Sequence, residues 1–150
     1  MTYTAGQIAT AKTVYTFWVS KGATDFQAAS WVGNVDGECS LEGWLIGDHG
    51  TAYGIDQDHM DRVNEILKGC GIDMRTATLE QQCEATYWEV TKGWYRSVWP
   101  GFKETTSLAA AVDYLVEYFE QSGDQPRDDA RRLVLSQYWL TYAQKNWVAK

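Results

Sequence analysis

The sequence is poor in the residues that usually carry metal or disulfide chemistry. Its 150 residues include three cysteines, two histidines and two prolines. Cys39, Cys70 and Cys83 are an odd set at spacings that match no zinc or redox motif, so we expect free thiols, although a Cys70–Cys83 bridge stays open. With His49 and His59 as the only imidazoles and no zinc-motif spacing of carboxylates, we predict no metal site and no cofactor.

Positive charge and long apolar runs are also scarce. Lysine and arginine total 13 against 20 aspartates and glutamates, which gives a formal net charge of -7. Because nucleic-acid binding needs clustered basic residues, we expect no nucleic-acid partner. No apolar run reaches the roughly eighteen residues of a membrane span, and residues 1–7 lack the basic and apolar regions of a secretory signal. We therefore expect no membrane partner and no signal peptide of the chain's own.

Helical periodicity is what the sequence does have, over nearly its whole length. Its length suits one domain over residues 1–150, and we predict a mainly α fold. The first helix is expected from about residue 4 to 21, a capping box at Thr24 and Gln27 opens the second, and another at Thr78 and Gln81 opens a later helix. Glycines interrupt residues 40–57, which are predicted as a loop or a short hairpin. Later helices are expected to begin at caps or first turns formed by Asp58, Thr78, Ser107 and Pro126.

One acidic side chain, Glu38, falls in the last turn of the predicted second helix, directly before the glycine-rich loop. Apolar surroundings and the negative end of the helix dipole both disfavour a charged carboxyl at such a place. A carboxylic acid that stays protonated near neutral pH can donate its proton to the leaving oxygen of a glycosidic bond. The commoner interpretation of a lone glutamate is a solvated helix end, and it stays open at this point.

Four short segments, in order along the chain, carry a resemblance. They are residues 33–39 (GNVDGEC), 53–57 (YGIDQ) with Arg62 after it, 81–89 (QQCEATYWE) and 118–121 (YFEQ). Together they resemble the bacteriophage tail lysozyme family, a branch of the lysozyme superfamily found in phage tail proteins and other virion-associated peptidoglycan hydrolases. Cys39 stands where that family has serine, and Asp58 stands where it has tryptophan.

The resemblance implies a lysozyme-like helical domain whose glycine-rich loop or short hairpin flanks a cleft. It further implies a muramidase, a glycoside hydrolase that cleaves the β-1,4 link between N-acetylmuramic acid and N-acetylglucosamine, with Glu38 as the catalytic acid. Asp48 is the first choice for a second catalytic carboxylate, because a loop opposite the helix end can bring it across the cleft. Asp56 is the second choice, and some lysozyme relatives have no such residue.

Substrate contacts are expected from Tyr53 and Gln57, whose hydroxyl and amide can hydrogen-bond an N-acetyl or hydroxyl group. Asp56 lies in the same segment, and Trp44 in the loop can stack on a sugar face, although core packing of Trp44 is an equal alternative. The enzymatic interpretation requires that Glu38 enter a cleft without being neutralised by an arginine.

The expected partners are the glycan strands of peptidoglycan, together with other phage tail proteins. The resemblance implies a virion-associated protein, or one made in the host cytoplasm and delivered to the cell wall, where it contributes to cell wall degradation. Two other functions stay open. One is a lytic transglycosylase on the same bond, and the other is a non-catalytic structural or carbohydrate-binding module of the virion.

Overall fold

The computed structural model describes residues 1–42, 46–47, 52–121 and 123–148, with residues 46 and 47 described by their backbone alone. The helices in the described part are α1 (Ala5–Ser20), α2 (Asp25–Cys39), α3 (Met60–Cys70), α4 (Leu79–Thr91), α5 (Val98–Lys103), α6 (Leu108–Leu115) and α7 (Gln125–Asn146). A π-helical turn, Val116–Glu120, continues α6. The predicted mainly α fold is confirmed.

Local sequence signals account for the helix ends. The capping boxes predicted at Thr24 and Thr78 are both present, and in each the glutamine three residues on bonds back to the threonine amide. Each such cap satisfies otherwise orphaned amides and is worth about 1 kcal/mol. Gly71 ends α3 in the left-handed conformation, with φ of 77°.

Three short antiparallel strands stand between α2 and α3. They are β1 (Ile46–Gly47), β2 (Ala52–Tyr53) and β3 (Asp58–His59), in the order β1-β2-β3. Tyr53 pairs with Asp58 across β2 and β3. The predicted short hairpin is therefore present as part of a small sheet that lies beside the end of α2 in sequence.

The prediction that Asp58 caps α3 is wrong. Asp58 belongs to β3, and the residue at the N-cap is His59, whose side chain makes no capping hydrogen bond. The carboxylate of Asp58 is fully buried and lies 3.1 Å from Nη2 of Arg62. An ion pair inside the protein has replaced the local capping bond that the sequence pattern favours.

The core is built around α2, of which residues 27–36 and Cys39 are all buried. Trp31 of α2 stacks on Trp18 of α1, with ring centroids 4.1 Å apart and planes 6° apart. Phe102 and Phe119 pack edge-on against the same indole. Because α2 runs through the middle of the core, its last turn is where a side chain can leave the core and reach a surface cavity.

Helix α7 packs very closely against α2 at Gly33. A Cβ atom placed on Gly33 would lie 2.8 Å from the backbone nitrogen of Ser136 and 2.9 Å from its Cα. Glycine is therefore required by the approach of the two backbones. This contact brings Arg132, one turn before Ser136 on α7, alongside the last turns of α2.

Candidate active site

A polar cavity of about 340 Å³ opens at the end of α2. Its walls come from the end of α2, the β2–β3 segment, α3 and the π-helical turn. The lining residues are Glu38, Ala52, Asp56, Gln57, His59, Arg62 and Glu120. The volume lies in the range of small-molecule sites, and the walls carry more ionisable groups than apolar ones.

The structure brings three of the predicted site residues together in this cavity: Glu38, Asp56 and Gln57. The amide of Gln57 donates a hydrogen bond to the carbonyl of Gly54, at 2.9 Å. Tyr53 instead packs against a small apolar cluster that includes Val63. The structure does not describe residues 43–45 and 48–51, so Trp44 and Asp48 lie outside the described residues.

Glu38 is half-buried, with 19% of its side chain exposed, and it is bound by an arginine. Nη2 of Arg132 donates to its Oε1 atom, whereas no described residue hydrogen-bonds to Oε2. The expectation that Glu38 enters a cavity holds, but the expectation that no arginine pairs with it is wrong. The reason is the close approach of α7 at Gly33, which the sequence pattern did not indicate.

Arg132 is itself fixed by a second residue of α2. It is 5% exposed, and its Nη1 atom donates both to the side-chain oxygen and to the backbone carbonyl of Asn34. The amide nitrogen of Asn34 in turn donates to Oε1 of Glu120, at 2.7 Å. Glu38, Arg132, Asn34 and Glu120 thus form one continuous chain of hydrogen bonds.

A second arginine, Arg62, lines the cavity itself. Nε and Nη2 of Arg62 each donate to one oxygen of Glu89, both at 3.0 Å, and Glu89 is fully buried. The same guanidinium lies 4.9 Å from the ring centroids of both Tyr95 and Phe119. Together with the contact to Asp58, these interactions hold Arg62 rigidly, as expected for a bidentate and stacked guanidinium.

Burial raises the pKa of several carboxyl groups here. Desolvation raises the pKa of Asp56 to about 6, against the opposing hydrogen bond from Thr86 and the charge of Arg62. It raises the pKa of Glu89 to about 7, against the charge of Arg62. Burial likewise raises the pKa of Asp58 and Glu120 well above the ordinary values, and the charge of Glu38 adds to both effects.

The carboxyl groups around the cavity outnumber the guanidinium groups, which explains why some of the carboxyls keep their protons. Two guanidiniums, Arg62 and Arg132, face the five carboxyl groups of Glu38, Asp56, Asp58, Glu89 and Glu120. Buried charge without a counter-ion is costly, so some of these carboxyls stay neutral near neutral pH. A site of this kind can donate and accept protons, which is the requirement for acid–base chemistry.

Sequence reasoning missed Arg132, Asn34, Glu89 and Glu120 as functional candidates. Asn34, Glu89 and Glu120 were inside the motif segments and were not singled out. Arg132 had no such signal, because its contact with Glu38 spans 94 residues of sequence.

The thiols, the potential metal ligands and the helices of the described residues each bear on an expectation from the sequence. Cys39, Cys70 and Cys83 are free thiols. Within the described residues, no three histidine, cysteine or acidic side chains are arranged to hold a metal ion. In the same part of the chain, no helix combines the length and apolar character needed to cross a membrane.

A mainly α fold with a helix-end glutamate in a carboxylate-lined cavity defines a lysozyme-like class of protein. The chain belongs to the phage tail lysozyme family, whose family model matches residues 9–143. This membership indicates peptidoglycan as the substrate in general and a phage tail as the setting. No match was found among curated proteins.

Proposed function

We propose that the chain hydrolyses the β-1,4 link between N-acetylmuramic acid and N-acetylglucosamine in peptidoglycan, with Glu38 as the general acid. The observation that carries the proposal is the position of Glu38 in a polar cavity at the end of the central helix, in a chain of the phage tail lysozyme family. Such an enzyme acts from the virion on the cell wall, with other tail proteins as neighbours.

The ion pair with Arg132 does not meet the requirement set from the sequence, that no arginine neutralise Glu38. We retain the acid role because the arginine engages only one oxygen of Glu38. A protonated carboxyl can still accept a hydrogen bond on its carbonyl oxygen while the proton sits on the other oxygen. The charge of Glu38 in turn raises the pKa of Asp56, Asp58 and Glu120, so its neighbours hold protons more strongly.

In the proposed reaction, Glu38 gives its proton to the leaving glycosidic oxygen as the bond to the anomeric carbon breaks. Water then adds to the anomeric carbon, and a second carboxylate stabilises the positive charge that develops there. Asp48 is the first candidate from sequence for this second role, and Asp56 lines the cavity beside Glu38. Gln57 is placed to contact a sugar in the cavity, and the proposed contacts of Tyr53 and Trp44 extend the site.

Replacing Glu38 by glutamine tests the assignment. The carboxamide oxygen can still accept from Arg132, so we expect the fold and binding to sacculi to survive. Loss of the proton donor is expected to lower the release of reducing ends from purified peptidoglycan by about 100-fold or more. Glu42→Gln is the matched control, since Glu42 lies near Glu38 in sequence but does not line this cavity. Unchanged activity in Glu38→Gln would eliminate Glu38 as the acid.

The ion pair also favours one alternative, a non-catalytic module that binds glycan strands. A carboxylate held by an arginine is suited to accept hydrogen bonds from sugar hydroxyls without turnover. A turbidity assay on bacterial sacculi distinguishes the two, because only an enzyme clears the suspension. If the sacculi clear, mass spectrometry of the products separates a hydrolase from a lytic transglycosylase, which leaves anhydro ends.

A further inference from the structure

Glu120, like Asp56, is a carboxyl group of the cavity that forms no ion pair with a described residue. The guanidinium of Arg62 forms ion pairs with Glu89 and Asp58. The guanidinium of Arg132 forms an ion pair with Glu38 and a hydrogen bond to Asn34. Within the described residues, no lysine, arginine or histidine nitrogen forms an ion pair with Glu120. Its hydrogen-bond donor there is the neutral amide of Asn34.

The backbone brings Glu120 to the cavity by an unusual route. Residues Val116–Glu120 form a π-helical turn at the end of α6, and Gln121 follows in the left-handed conformation with φ of 52°. A π turn widens a helix and re-aims the side chains that follow it, and such turns are frequent at functional sites. Here the turn buries Phe119 in the core and leaves Glu120 on the cavity wall with Glu38.

Glu120 and Glu38 are linked through a single cation. Arg132 donates to Glu38 with Nη2 and to the Asn34 side-chain oxygen with Nη1. Because that oxygen is occupied by a donor, the Asn34 amide nitrogen must face Glu120, as the 2.7 Å contact requires. The two carboxyls therefore sit at opposite ends of one hydrogen-bonded chain that carries one positive charge.

We propose that Glu38 and Glu120 form a coupled acid pair that shares one proton beside the charge of Arg132, with Glu120 carrying the proton in the resting site and Glu38 carrying it when it acts as the acid. The proposal deepens the function proposed above and rests on it for its catalytic meaning. Both carboxyls line the same cavity, so a proton that leaves Glu120 can reach Glu38 through solvent, and this transfer leaves the total charge of the pair unchanged. Glu38 then donates that proton to the leaving oxygen.

Two carboxyls that share a site lose their last proton at higher pH than either does alone. Other charged and titratable groups face Glu120 from each neighbouring element and set the absolute values. They are Glu38 on α2, Asp56 before β3, His59 on β3, Arg62 on α3, Tyr95 before α5 and Arg132 on α7. Replacing either Glu38 or Glu120 by glutamine leaves these other charges in place, so the change in titration of the remaining carboxyl measures the interaction between the two.

The activity test is the pH profile of reducing-end release by Glu120→Gln. Glutamine keeps an oxygen that accepts from Asn34 but cannot hold the shared proton, so we expect the alkaline limb to move to lower pH by about one unit. Glu120→Asp stays titratable and is expected to restore most of that shift. Glu117→Gln is the matched control, because Glu117 is an exposed glutamate in the same π-helical turn and should leave the profile unchanged.

A second measurement does not depend on activity. Carbon-13 NMR of labelled glutamate side chains follows the Glu120 carboxyl directly, and in Glu38→Gln its titration midpoint should fall by about one pH unit. Activity reduced equally at every pH in Glu120→Gln, or an unmoved Glu120 midpoint in Glu38→Gln, overturns the pair. A wild-type chain without activity refutes the proposed function instead, and the NMR titration then decides the pairing alone.

Discussion

Because α2 packs closely against α7 at one point, we expect opposite effects on stability from replacing two glycines of α2 by alanine. At Gly33 an added Cβ would lie within 3 Å of two backbone atoms of Ser136, and it would also overlap its hydroxyl. At Gly37, one turn later, the nearest atoms to an added Cβ are side-chain atoms of Arg131 and Arg132 at 3.4 Å, which is ordinary contact. Gly33→Ala should therefore destabilise the protein, whereas Gly37→Ala should not.

The expected magnitudes follow from two opposing effects. Replacing a mid-helix glycine by alanine gains roughly 0.5–1 kcal/mol of helix stability. At Gly33 the added methyl group forces α7 away from α2, and overpacking of this kind costs about 1–3 kcal/mol or more. We expect Gly33→Ala to lose roughly 1–2 kcal/mol of unfolding free energy, and Gly37→Ala to gain up to about 1 kcal/mol.

Urea unfolding followed by tryptophan fluorescence measures both variants, because Trp18, Trp31 and Trp139 are buried. Displacement of α7 should also loosen the contact between Arg132 and Glu38, so Gly33→Ala is expected to lose wall-lytic activity beyond its loss of stability. A Gly33→Ala protein as stable as the wild type, or less affected than Gly37→Ala, would refute the argument from close helix approach.

Two further predictions concern the buried charges. Because burial raises the pKa of Glu89 from 4.5 to about 7, the folded state binds more protons than the unfolded state in that interval, and stability should fall as pH rises through it. The contribution of Glu89 is on the order of a few kcal/mol between about pH 4.5 and 7, and urea midpoints that rise over this range would contradict the sign. Arg62→Met leaves Glu89 and Asp58 without their cation, so we expect a loss of about 3–5 kcal/mol at neutral pH and less in acid, where both carboxyls take up protons. The exposed Arg75, paired with Asp73 at 2.8 Å, is the control, and Arg75→Met should leave the stability nearly unchanged; equal losses in the two variants would contradict the role of burial.

Features that depend on neighbouring residues were predicted well. The capping boxes at Thr24 and Thr78 are present because their hydrogen bonds close within three residues. The same local rules failed at Asp58, where a cap was expected. There the carboxylate is buried against Arg62, and an ion pair in the interior outweighed a capping bond at the surface.

The candidate site was only partly predictable. The motif around Glu38 pointed to this end of α2, where Asp56 and Gln57 also line the cavity and Tyr53 does not. Glu120 lay in a motif segment but its contact with α2, across 86 residues, was not indicated, and Arg132, whose contact spans 94 residues, lay in no motif segment. Contacts of that length depend on how closely two helices pack, which no local pattern specifies.

The sequence by itself determined that this chain forms a mainly α protein of the phage tail lysozyme family and that Glu38 stands at the end of a helix beside a glycine-rich segment. Only the tertiary structure decided what surrounds that carboxyl. The approach of α7 at Gly33 supplies Arg132, and the π-helical turn supplies Glu120. The physical reason is that helix formation is governed by short-range hydrogen bonds and periodicity, whereas the charge around a buried acid is set by which distant segments pack against it.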